Sequence, residues 1–287
     1  MPRLTIMMAA HNAEGTIATA ISSALRSAPD DSELVVCDDG STDRTAEVVD
    51  ALTDRRIRIL QHSTSRGSGA ARQTVLDSTD SEFIANMDAD DISLPWRFPR
   101  MLPAAEGHDA VFTGALVFGN GHWAKPSLTF PLSAQELPAI LTIHNPLFHS
   151  SMLARRSAVE SVGGYRSLRR AQDYDLWLRM AAGGARLRRL ATPAVAYRLS
   201  RTQISGGADY LTLLGAQPEL RSSYWKNLDL VLGRQSAAHS SSQGAPATIR
   251  QSVHGLVRGF RPTTRAYYRR VLCRTSVPVF PHPDSRQ

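Results

Sequence analysis

A chain of 287 residues, 42% hydrophobic and 21% charged, has room for one large α/β domain or two small ones and is too apolar to stay disordered. Its formal charge of +7 invites a polyanionic partner, yet residues 1–249 balance 25 Lys and Arg against 25 Asp and Glu. The excess lies in residues 250–287, where eight Arg face only Asp284.

From its first residues the chain alternates short apolar runs with helical periodicity, the pattern of a sheet with helices packed on it. Strands are expected at Leu4–Ala9, Leu34–Cys37, Ile57–Leu60, Phe83–Met87 and Ala110–Phe118. The first stops at His11-Asn12, short of a signal-peptide core, and no apolar run approaches the roughly 20 residues that span a bilayer. Ile17, Ile21 and Leu25 recur at every fourth position as one helical stripe, and further helices are expected over about 42–52, 67–78 and 95–105. Pro126, Pro131, Pro138 and Pro146 divide 120–150 into loops and short helices. A helix over 172–182, a strand at Ala194–Leu199 and a helical stretch around 208–232 follow, then a Ser- and Ala-rich linker at 235–248. In the basic tail, 249–287, Ile249, Val253, Leu256, Val257 and Phe260 form a stripe that Pro262 ends, and Tyr267, Val271 and Leu272 begin a second one beside Arg265, Arg269 and Arg270. Cys37 and Cys273 are too few for a disulfide framework and read as free thiols. The fold class is α/β.

Two acid clusters leave strands directly. Leu34–Cys37 runs into Asp38-Asp39-Gly40-Ser41-Thr42-Asp43, and Phe83–Met87 into Asp88-Ala89-Asp90-Asp91. Ligands of open α/β sheets bind where loops leave the carboxyl ends of strands, so both clusters fall on the ligand edge. Carboxylates this close repel, and a divalent cation compensates them economically; all-oxygen ligation without His or Cys suits Mg²⁺ or Mn²⁺ shared with substrate phosphates. Taken alone, the first cluster is a turn with helix caps from Ser41, Thr42 and Asp43. The second is no EF-hand, with Ser93 sixth and Pro99 twelfth. Gly67-Ser68-Gly69-Ala70-Ala71-Arg72 has two glycines of a dinucleotide fingerprint but Arg72 in the third place, and it follows the third strand rather than the first, which disfavours NAD(P). Arg66 and Arg72 on such a loop suit a phosphate-bearing ligand. Asp173 opens the helix at 172–182, either facing its dipole or catalysing, while Asp175 and Arg179 are spaced for an ion pair.

Together these segments resemble the family 2 glycosyltransferases, inverting enzymes of the GT-A fold that use nucleotide-activated sugars. The motifs arrive in the family's order from residue 4 to about 205: the strand ending in Ala9-Ala10-His11-Asn12, the acid run 38–43, the Gly-rich segment 67–72, Asp88-Ala89-Asp90, Gly163-Gly164-Tyr165 before Asp173, and Tyr197-Arg198 with Thr202-Gln203-Ile204-Ser205. The resemblance implies one GT-A-like domain over 1–234, mostly parallel in its sheet, in which residues 1–120 bind the nucleotide and residues 121–205 face the acceptor. It implies His11 beside the nucleotide base, Asp39 accepting from that base, Arg72 at the diphosphate or base, and Asp88 and Asp90 holding ribose and metal. Asp173 would be the general base that deprotonates an acceptor hydroxyl. The expected cofactor is Mg²⁺ or Mn²⁺, the donor a nucleotide-sugar with UDP favoured, and the acceptor a surface glycan, lipid-linked sugar or small metabolite. His149 lies in a stretch, 145–151, that often faces the acceptor in the family. Gln172 stands where members usually carry Glu, Ala9 and His11 where they carry Thr and Tyr, and no His follows Tyr197-Arg198. Gln172 motivates the alternative of a catalytically silent relative that binds nucleotide-sugar or glycan. A pyrophosphorylase would need a basic Gly-rich loop where His11-Asn12-Ala13-Glu14-Gly15 stands.

The tail has two readings: residues 249–274 lie in an anionic membrane interface, at about 1 kcal/mol per basic residue, or dock on the domain with their arginines in water. Nucleic acid is not expected, because no helix-turn-helix, zinc-ligand or aromatic-interleaved pattern accompanies the charge. The expected location is cytoplasmic, peripheral at the inner face of the membrane where the tail binds lipid.

Overall fold

The β-loop-α alternation of the first half builds four parallel strands. β1 (Leu4–Ala10) pairs with β2 (Ser32–Asp39) on one side and β4 (Phe83–Asn86) on the other, and β3 (Ile57–His62) pairs with β2. The connections carry α1 (Ile17–Ser27), α2 (Thr45–Asp50) and α3 (Ser68–Asp77). The molecule is described here from a computed structural model that covers residues 2–119, 122–168, 170–199, 210–233, 255 and 258–274. Beyond β4 come β5 (Ile92–Ser93), α4 (Arg97–Ala104), β6 (Ala110–Gly119), β7 (His122–Pro126), α5 (Leu137–Leu141), a 3₁₀ turn (His149–Ser151), β8 (Leu153–Arg155), α6 (Arg156–Glu160), α7 (Gln172–Ala182), β9 (Leu187–Leu199), α8 (Tyr210–Ala216), α9 (Pro218–Val231) and α10 (Pro262–Arg274). The sheet order is β3-β2-β1-β4-β8-β6-β9-β5, with β7 on β6. β3, β2, β1, β4, β6 and β9 run one way and β5, β7 and β8 the other, a mostly parallel α/β sheet in one domain, as expected.

Alternation along the strands sorts the core into two layers. Met7, Val35 and Cys37 face α3, α5, α7 and α9, whereas Ile6, Met8, Leu34 and Val36 face α1 and α4. The α7 stripe is confirmed, with Trp177 fully buried and edge-on to Phe112 at 4.8 Å.

Three expected elements change in extent for identifiable reasons. The helix expected at 42–52 shrinks to α2 because Thr42 donates its N–H to Asn12 Oδ1 (2.8 Å), pinning the preceding residues to the β1 loop instead. The stretch 208–232 breaks at Gln217 (φ −125°, ψ 100°), since Pro218 disfavours a helical residue before it. β9 begins at Leu187, seven residues before the expected Ala194, with Arg189 buried and donating to the Phe130 and Leu128 carbonyls at 2.9 Å.

The linker 235–248 and most of the stripe 249–260 lie outside the described residues. Of the second tail stripe Tyr267 is exposed, and the side chains of Val271 and Leu272 lie outside the described ones; the face of α10 that docks is carried instead by Thr264 and Tyr268, buried together with Phe260, and Arg261 Nη2 meets Glu136 Oε2 at 2.6 Å.

Candidate active site

The loops leaving β1, β2, β3 and β4 meet at one edge of the sheet. Asn12, in left-handed backbone (φ 51°), donates its N–H to Ser41 Oγ (2.9 Å), and Ala13 and Glu14 donate theirs to Thr45 Oγ1 and Asp43 Oδ2 (2.8 and 3.1 Å). The two loops are therefore one unit. His11 stands exposed on it, and because a carbonyl can only accept, its Nδ1 carries the proton that bonds Asp39 O (2.9 Å).

Asp38 and Asp39 are buried, and Asp39 works inside the chain. Its Oδ1 accepts from His62 Nδ1 (2.7 Å) and Arg66 N (2.9 Å), its Oδ2 from Ser65 Oγ and Gly67 N (both 2.8 Å). Burial alone would raise its pKa, but these donors outweigh burial and hold the carboxyl below the usual range. Four donors fill a carboxylate's acceptor capacity, so Asp39 clamps the Gly-rich loop in front of α3. Gly67, at φ 92° with open space around its missing side chain, begins that helix. Gly69 is required by contact: a Cβ there would lie 2.5 Å from Arg166 O.

α3 carries Arg72 inward. Its guanidinium is buried, bonding Ser68 O (3.2 Å) and Asp88 Oδ1 (2.5 Å). Burial would raise Asp88, yet Arg72, and after it His149 and Ser150, bring its pKa below the usual value. Asp90 is raised instead: burial and then Asp88's charge push it up, and Arg198, whose Nε donates to the Asp90 carbonyl at 2.8 Å, offsets only part. Asp91 is pushed well up by the same causes, while its Oδ1 accepts Arg198 N (2.8 Å). Below the cluster, Arg97 is wholly buried, bonds Asn86 O (2.6 Å), and is pressed down to about 9 by burial. The Asp88–Asp90 pair fits a divalent metal, because a hard cation would relieve the repulsion that raises Asp90. Among the described residues no third His, Cys, Asp or Glu joins them, so further ligands would be water and substrate phosphate.

Asp173 enters from the first turn of α7. Burial raises its carboxyl pKa, partly offset by the Tyr174 N–H and by Arg72, while Asp88 raises it further. Asn145 Nδ2 lies 3.5 Å from its Oδ2. Gln172 turns to the Gly-rich loop, donating to Ser68 Oγ at 2.7 Å. Asp175 is structural, as its spacing suggested, but wholly buried: Arg179 Nε (2.8 Å), Ser223 Oγ (2.6 Å) and Arg166 Nη1 (3.3 Å) all donate to it. His149 is buried against Tyr165 OH (3.2 Å), which takes Asn86 Nδ2 (2.6 Å); burial and Arg72 lower His149 to about 3.

Arg72, Asp88 and Asp173 are thus close enough to bias one another's ionisation, with Asp90 beside Asp88, and His11 and Asp39 on the adjoining loops. Asn86, Arg97, Asn145 and Ser150 were not singled out from sequence. They are lone polar residues in apolar or Pro-broken stretches, and only the insertion of β8 between β4 and β6 brings 145–151 beneath Asp88.

Known proteins resemble this chain in sequence and in fold. The sequence profile described as Glycosyl transferase family 2 matches residues 5–163. EpsE of Bacillus subtilis, named for a glycosyltransferase, is 34% identical over 194 residues, covering 64% of this chain and 69% of its own. The succinoglycan biosynthesis protein ExoO of Rhizobium meliloti is 30% identical over 65% of this chain and 58% of its own. The UDP-Glc:alpha-D-GlcNAc-diphosphoundecaprenol beta-1,3-glucosyltransferase WfgD of Escherichia coli is 42% identical over 89 residues, 31% of this chain and 35% of its own. The chain therefore spans less than two thirds of the length of two of these three relatives. Among solved structures, residues 1–349 of S. aureus TarS in complex with UDP-GlcNAc superpose with a TM-score of 0.66 at 16% identity, over 90% of this chain and 72% of that one, a likeness of fold.

Proposed function

The chain belongs to glycosyl transferase family 2, and from that membership we propose that it moves a sugar from a nucleotide-sugar to an acceptor hydroxyl with inversion at the anomeric carbon. UDP-sugars are favoured as donors, in keeping with the UDP-GlcNAc complex of TarS and the donor in WfgD's name. A lipid-linked sugar or growing surface polysaccharide is the favoured acceptor class, in keeping with the names of WfgD and ExoO. The observation that carries the reading is the approach of Asp173 from α7, Arg72 from α3 and Asp88 from the loop after β4, with Arg72 bonded to Asp88 and both acting on the charge of Asp173.

Asp39 holds the Gly-rich loop in place, and His11 presents an exposed ring edge beside it for the base. Arg72 supplies a buried positive charge next to Asp88 for the diphosphate. Mg²⁺ or Mn²⁺ held by Asp88 and Asp90 would neutralise charge building on the nucleoside diphosphate as it leaves. Asp173 takes the proton from the attacking hydroxyl, and its upward-shifted carboxyl is a stronger base than a solvated aspartate. One base and direct displacement give inversion. The outward arginines of the tail would hold the enzyme at the cytoplasmic face of a membrane.

UDP release from UDP-glucose and UDP-GlcNAc, measured with Mn²⁺, tests the assignment. Wild type turns over and Asp173→Asn loses about 100-fold or more; equal rates in both would sink the role of Asp173. Gln172 spends its amide on Ser68, so a silent sugar-nucleotide binder is the outcome if wild type binds UDP-sugar and releases nothing.

A further inference from the structure

We propose that Asn145 is the positioning residue of Asp173: its side-chain amide donates to one carboxylate oxygen and so orients the carboxyl toward the acceptor hydroxyl. The inference rests on the reading of Asp173 as general base. Asn145 Oδ1 accepts the Leu147 N–H at 3.0 Å, and a backbone N–H can only donate, so the oxygen end of the amide is fixed. Nδ2 is left pointing at Asp173 Oδ2, 3.5 Å away. Pro146, between the two anchors of this Asx turn, sets its own φ and stiffens the turn.

The turn is gripped from several sides. Tyr174, next to Asp173, donates its hydroxyl to Leu141 O, so α7 and the segment 141–145 are tied at two adjacent positions. Tyr224 OH donates to Thr142 O at 3.2 Å, and the His144 ring packs against Tyr268 and Tyr267 of α10 at 5.2 and 6.5 Å. Arg72 from α3 and the N–H groups of Tyr174 and of Asp173 itself favour its charge, burial and Asp88 oppose it, Tyr165 lies within electrostatic reach, and Asn145 adds a donor.

A ¹³C-aspartate NMR titration needs no substrate and tests the contact directly, the Asp173 resonance being assigned by its loss in Asp173→Asn. Asn145→Ala removes the donor, and Asn145→Asp removes it, adds a charge and keeps an acceptor for Leu147. The Asp173 midpoint should rise in both variants, by about one pH unit or more in Asn145→Asp, with Asp39 unmoved. In UDP release with Mn²⁺ and UDP-GlcNAc or UDP-glucose, kcat should fall about tenfold or more while KM for the sugar nucleotide stays within about twofold. An unmoved midpoint, or unchanged kcat, overturns the inference while leaving the base assignment standing if Asp173→Asn is inactive. Wild-type release by Asp173→Asn removes the base assignment itself, and the positioning role with it.

Discussion

Asp88 keeps its charge because Arg72 lies on it, and the pair has a measurable pH signature. The depressed folded-state pKa of Asp88 adds stability above the ordinary carboxylate range and gives it up as pH falls through the folded value. Arg72→Met strips a buried cation from a half-buried anion, which costs about 2 kcal/mol at neutral pH. Asp88 must then climb, so the variant gains relative to wild type as pH is lowered; a melt series from pH 7 to pH 4 in which both proteins fall in parallel would refute this. Asp173 carries the opposite sign. Its raised pKa predicts a kcat/KM that falls with acid through a limb above the normal aspartate value, and a limb at or below that value speaks against its burial-tuned role.

The elements that carry Arg72, Asp88 and Asp173 are held by close approach as much as by charge, and Gly69 shows how. Alanine there drives a Cβ to 2.5 Å from Arg166 O, where both partners are backbone, so Gly69→Ala should cost about 1–3 kcal/mol in urea unfolding. Gly15→Ala, with nothing within 4 Å, is the matched control and should be neutral. Close approach of this kind is invisible in a sequence, whereas uninterrupted periodicity is not. The acid runs at 38–43 and 88–91 were legible because each follows its strand without interruption, so strand periodicity placed them at the ligand edge. α7, expected over roughly 172–182 and found at Gln172–Ala182, was legible from its aromatic stripe. β5 and β8, two and three residues long, are too short to show a period, and with β8 went the placing of 145–151 against β4. Asp39 was legible as an acid at the end of its strand, but its four donors come from His62 at the end of β3 and from the loop residues Ser65, Arg66 and Gly67, and that saturation belongs to tertiary structure.

At the scale of the molecule, the question left by the +7 charge is what the tail does with its two faces. Among the described residues, part of its apolar side is already occupied: Phe260 and Tyr268 are buried in the same core as α5, α7 and α9, with Thr264 buried between them and Tyr267 exposed. Glu136, itself buried, fixes the start of α10: it takes the Arg261 N–H at 3.2 Å and the Arg261 guanidinium. Burial would raise Glu136, but Arg261 and Ser133 bring it to about 2, from a usual 4.5. The contact therefore stabilises fully above about pH 4.5 and is lost as pH falls toward 2. Glu136→Gln should cost about 1–2 kcal/mol at neutral pH and show a smaller loss of stability on acidification than wild type. With the described apolar residues of that face covered, Arg258 and Arg269, exposed, and Arg265, half-buried and bonded to Phe260 O, are left to meet any lipid by charge. Such binding is screened within about 10 Å at 0.1 M salt. Vesicles of phosphatidylglycerol should sediment the protein at low salt and release it near 0.5 M, and replacing the three arginines with Gln should abolish sedimentation. Binding that survives high salt would mean that apolar insertion from the residues before Arg258 is at work, and no binding at low salt would confine the tail's role to the domain it packs on.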